Sequence, residues 1–153
     1  MVSGTYNNNL QIVQTPGYVV IFNEMVHDAR IIPTDGRAHG PLPRWNGDSV
    51  GRWEGDTLVI ETINFKRETS LQGSTAKTKV VERLKRLDAK TIDYTYTVSD
   101  PDAYSRPWTA SMPLRAINEQ LFEYACHEAN YGLEGVLRGQ RYREKNATAS
   151  TKQ

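Results

Sequence analysis

The sequence predicts an all-β domain: an antiparallel, up-and-down, lipocalin-like β-barrel of about eight to ten strands followed by a short C-terminal helix. Three observations predict it. Short apolar and β-branched runs recur along the chain, separated by Pro, Gly and Asp turn signals. Alternation is plainest in Thr91–Ser99, where Ile92, Tyr94, Tyr96 and Val98 interleave with Asp93, Thr95, Thr97 and Ser99. Consecutive runs are joined mostly by tight turns, as in a meander, and closing a meander removes its exposed edges.

The elements follow in order. Leu10–Gln14 and Tyr18–Met25 flank Thr15-Pro16-Gly17, where Pro then Gly suits a type II turn. His27–Ile32 stops at the turn signal Pro33-Thr34-Asp35-Gly36. Arg37–Asp48 is a Pro/Gly/His/Trp loop, and ordered loops of that length tend to carry function. Ser49–Glu54 and Thr57–Phe65 form a hairpin through Gly55-Asp56, a two-residue turn of the primed type. Thr78–Leu87 and Thr91–Ser99 flank Asp88-Ala89-Lys90. In the next strand Trp108, Ala110, Met112 and Leu114 alternate with Thr109, Ser111, Pro113 and Arg115, and Pro113 places that strand at an edge or a bulge. Leu121–Glu128 is a ninth strand. Leu133, Val136, Leu137 and Gln140 fall at helical spacing, but Gly132, Gly135 and Gly139 keep the helix short. The expected division is one barrel domain over 1–145 and a flexible polar tail over 146–153.

Composition narrows the functional classes. The 153 residues are 38% hydrophobic and 24% charged, with a net charge of +1. There is no basic excess for nucleic acid and no basic amphipathic stretch for a membrane surface. One cysteine excludes an internal disulfide and multi-cysteine zinc signatures. The expected partner is a small-molecule ligand or substrate, with homo-oligomerisation left open.

Residues 122–131 concentrate ionisable groups. His127 is a general acid/base candidate, Tyr124 a proton donor or oxyanion stabiliser, and Glu128 an orienting group or base. Tyr124 and His127 lie on opposite faces of a strand, so one pocket takes only one of them without a bulge. Cys126 and His127 cannot form a dyad for the same reason. His27-Asp28-Ala29-Arg30 is a second cluster, in which His27 is an acid/base candidate and Arg30 an anion binder. Both faces of Thr57–Phe65 mix apolar and polar residues, which singles out Glu61 as a base or orienting group and Asn64 as a polar contact. Trp45, Trp53 and Trp108 are stacking candidates, and Arg106 beside Trp108 suits a carboxylate. His27, His39 and His127 are metal-ligand types, but their separations of 12 and 88 residues match no local motif. No cofactor is therefore expected. No nucleophile elbow, phosphate loop or dinucleotide fingerprint is present.

Four stretches together carry a resemblance: 11–17 (QIVQTPG), 51–59 (GRWEGDTLV), Asp100-Pro101 with 106–109 (RPWT), and 123–128 (EYACHE). With these the chain resembles, over roughly residues 10–140, a large family of secreted bacterial proteins common in soil bacteria such as acidobacteria. Its members typically carry an export signal and a further N-terminal segment. The resemblance is to their C-terminal domain and implies a periplasmic or secreted location. It assigns no activity and no catalytic residue.

The expectation for function is an enzyme acting on a small oxygenated molecule, a sugar derivative or an aromatic. Hydrolysis, elimination or isomerisation would run by general acid/base chemistry in a barrel pocket. The alternatives are a non-catalytic small-ligand-binding barrel and a metal-dependent enzyme using His27, His39 and His127.

Overall fold

The computed structural model describes residues 9–67, 73–122, 128 and 131–150. Eight strands form two antiparallel sheets. The first sheet contains β1 (Leu10–Thr15), β2 (Tyr18–Asn23) and β3 (Ala29–Pro33), in that order. The second contains β4 (Asp48–Glu54), β5 (Thr57–Ile63), β6 (Lys79–Arg86), β7 (Thr91–Ser99) and β8 (Trp108–Arg115), again in chain order. The meander expected from the sequence is therefore present in each sheet. The hydrogen-bonded ladder stops at β3 and resumes at β4.

Local chemistry explains the turns. Gly17 has φ +77°, as the third position of a type II turn requires. Gly55 has φ +60° and begins the two-residue turn between β4 and β5. Among the described residues β8 is the last strand of its sheet, where Pro113 removes no ladder hydrogen bond from a further described strand. The strand expected to begin at His27 starts at Ala29 instead. A short 3-10 turn, Met25–His27, precedes it, and His27 has φ +54°.

Register fixes the faces. The rungs Ser49–Thr62–Val80–Val98–Trp108, Gly51–Ile60–Glu82–Tyr96–Ala110 and Trp53–Leu58–Leu84–Tyr94–Met112 share the inner face of the second sheet. From the first sheet, Val19, Ile21 and Ile32 join the same buried cluster. The two sheets thus bury one core between them, worth about 1.5–3 kcal/mol for each fully buried aliphatic side chain. Tyr94 and Tyr96 stack at 5.7 Å, and Trp108 meets Tyr96 and Tyr104 edge-on at 5.7 and 6.0 Å. Gly51 marks where the sheets close on each other. A Cβ there would stand 3.0 Å from Ile32 Cγ2 and 3.1 Å from Thr34 Cγ2.

The chain divides into two compact units, Met1–Phe122 and Glu123–Gln153. The second contains α1 (Gly132–Ser150), which continues through much of the stretch expected as tail. Its described side chains are exposed, Leu133, Val136 and Tyr142 included. No described helix is long and apolar enough to cross a membrane. Of the expected ninth strand, Leu121 and Phe122 are irregular, and 123–127 lie outside the described residues.

Candidate functional site

Three places in the first unit gather polar or ligand-sized features. The first is internal. Arg30 on β3 reaches across the core to Glu82 on β6, with Nη1 donating to Oε1 at 3.0 Å and Nη2 to Oε2 at 2.5 Å. Nη2 also donates to Ser49 Oγ and Thr62 Oγ1, each at 3.2 Å. Tyr94 Oη donates to Glu82 Oε1 at 2.8 Å. Burial opposes ionisation of Glu82, but the Arg30 charge and its hydrogen bonds win and hold the carboxyl at about 2. Burial, reinforced by Glu82, pushes the Tyr94 phenol up. Glu82 is 1% exposed, so the group is sealed. Arg30, expected as an anion binder, has its guanidinium fork occupied by this internal carboxylate. The polar residues on one face of β5 are likewise explained, because Thr62 serves this network rather than a ligand.

The second place is on the outer face. His39 Nδ1 lies 3.0 Å from Asp48 Oδ2, which also accepts the Gly40 amide at 2.9 Å. His39 Nε2 is buried without a hydrogen bond, with Glu61 Oε1 at 3.5 Å. Lys79 Nζ pairs with Glu61 Oε2 at 2.6 Å and, with a smaller contribution from His39, holds that carboxyl below its ordinary value. Asn64 has φ +56°, and its Nδ2 donates to Gly40 O at 2.7 Å. Asn64 therefore pins the loop that carries His39. Glu61 and Asn64 do meet in one cluster as candidates, together with His39 and with Asp48, which sequence reasoning missed.

The other candidates are dispersed. His27 is exposed, and its Nδ1 lies 3.3 Å from Glu24 O. Glu128 is exposed. Tyr124, His127 and Cys126 lie outside the described residues. Trp45 is exposed with the Lys66 ammonium 4.7 Å from its ring centre, and Trp53 is exposed near the far end of β4. Trp108 packs on Tyr96 and Tyr104 inside the body, whereas Arg106 is exposed. Among the described residues no cluster of three His, Cys, Asp or Glu is arranged to hold a metal ion.

The third place is a cleft of about 810 Å³ where β1 faces the ends of β7 and β8. Leu10, Ile12, Ile92 and Leu114 line it, half-buried and packed on the core below. Arg86, Lys90, Arg115 and Glu119 supply its charged groups. Its volume lies within the usual range for small-molecule sites. Sequence reasoning missed this site because its walls come from 9–12, 86–92 and 113–121, which only the fold brings together. The available signal was basic residues flanking turns, Arg86 and Lys90 around Asp88-Ala89 and Arg115 after β8.

Comparison with protein-family models, curated proteins and solved structures finds no match for this chain.

Proposed function

We propose that this chain is a small-ligand-binding domain, a half-open lipocalin-like barrel that takes a largely apolar molecule into the cleft between β1 and β8. One observation carries the reading: a cleft of about 810 Å³ whose apolar floor is continuous with the core. The sheets meet at β3 and β4, where Gly51 allows close approach, and the cleft lies at the opposite pair of strand edges. Such a gap leaves Leu10, Ile12, Ile92 and Leu114 half-covered, and an apolar guest would complete their burial. The acid/base enzyme reading draws less support. His39 Nε2, the nitrogen a base would offer, is buried against Glu61.

A titration with the neutral fluorescent probe N-phenyl-1-naphthylamine tests the reading. The account predicts saturable binding at one site. Ala116→Trp places a large side chain on an exposed lining position and is predicted to weaken binding at least about tenfold with little change in melting temperature. Equal affinity in the variant would remove the cleft from the account.

A further inference from the structure

We infer that the ligand of this cleft is an anionic amphiphile, an apolar body ending in a carboxylate; the inference rests on the ligand-binding reading above. Three cations, Arg86, Lys90 and Arg115, border the cleft. Arg86 ends β6 opposite Ile92, which is on the cleft floor. Arg115 ends β8 opposite Thr91, one position along from the floor residue Leu114, so it borders the cleft from the other face of the strand. Lys90 lies in the turn between β6 and β7, and its carbonyl accepts the Ala116 amide at 2.8 Å, which ties the turn to the end of β8.

Several exposed cations elsewhere in the first unit are paired: Arg37 with Asp35, Arg52 and Arg83 with Glu54, Lys77 with Asp102, Lys85 with Asp56. Arg86, Lys90 and Arg115 are exposed and make no ion pair among the described residues. Glu119 is the one carboxylate in the lining, and Asp88 stands in the same turn. Asp88 spends Oδ1 on the Lys90 amide at 2.7 Å and reaches Arg115 only through its field. Cations therefore outnumber carboxylates around an apolar floor. A fatty-acid-like carboxylate satisfies both parts, its chain on the floor and its head on a guanidinium fork.

Displacement of bound N-phenyl-1-naphthylamine by decanoate, 1-decanol and decylamine tests the inference. The predicted order is decanoate first, at least about tenfold tighter than 1-decanol, with decylamine weakest. The double variant Arg86→Gln/Arg115→Gln should bring decanoate down to the level of 1-decanol without weakening 1-decanol. Raising the salt to about 1 M should shrink the decanoate advantage, because the screening length falls to about 3 Å. Equal affinity for decanoate and 1-decanol would overturn the carboxylate inference and leave the cleft reading standing. A decanoate preference that persists in the double variant would also overturn it, by placing the anion elsewhere. Failure of the fluorescent probe itself to bind would overturn both readings.

Discussion

The Arg30–Glu82 pair shows how one residue's environment decides its role. Glu82 is 1% exposed, so its charge is tolerable only while Arg30, Tyr94 and the neighbouring hydroxyls hold it. Arg30→Met strands that charge in the core and is predicted to cost about 3–5 kcal/mol in urea unfolding. The double variant Arg30→Met/Glu82→Met should recover most of the loss, since no buried charge remains. A single variant as mild as the double would refute the pairing. The pH dependence follows from the same group. Glu82 is depressed to about 2 in the folded chain against an ordinary 4.5. Its contribution is complete above its unfolded value and is lost as pH falls from about 5 toward 2. Asp100 acts in the same direction. Burial opposes its ionisation, but the Thr75 amide, the Thr78 hydroxyl and the Asp102 amide hold it at about 2. Urea midpoints compared at pH 6 and pH 3 should fall at the lower pH, with a smaller fall in Glu82→Gln. The pair was partly legible. Val80, Glu82 and Leu84 alternate on one face, as do Arg30 and Ile32, so each charge sits in an apolar row. That the two rows oppose each other is set by the fold.

Among the elements, strand positions were the most legible feature, because period-two alternation and Pro/Gly turns act over a few residues. Pro113, read as marking an edge or a bulge, lies on the last strand of its sheet among the described residues. The long loop before β4 was legible as a loop but not in its contacts. Its anchor is Gly47, with φ +70°. A Cβ there would lie 2.6 Å from Thr62 Cγ2 and 2.8 Å from Ile63 O. Gly47→Ala is therefore predicted to cost at least about 1–3 kcal/mol, read as a lowered melting temperature. An unchanged melting temperature would mean that the loop does not seat here. Gly17 also has positive φ, but nothing lies within 4 Å of its Cβ position, so its constraint is conformational alone. The helix runs beyond its expected end to Ser150, although Gly135 and Gly139 lie within it. Propensity weakens a helix by about 1 kcal/mol per glycine and does not fix its last turn.

For the whole molecule, two sheets share one core yet part at β1 and β8, and that gap is the basis of the proposed function. Composition could exclude classes of partner but could not find the cleft. Its walls come from three separate stretches, and its floor residues read in sequence as ordinary core positions. The clusters that sequence reasoning favoured met different ends. Arg30 is sealed inside, Glu61 and Asn64 belong to the His39 cluster outside, and Tyr124 and His127 lie outside the described residues. The most direct test maps the occupied surface by ¹⁵N–¹H correlation spectra of the full chain, titrated with N-phenyl-1-naphthylamine. The account predicts saturable shifts at the amides of Leu10, Ile12, Ile92 and Leu114, with those of His39 and Trp45 unmoved. Shifts centred on His39 and Glu61, or none in β1 and β8, would contradict it.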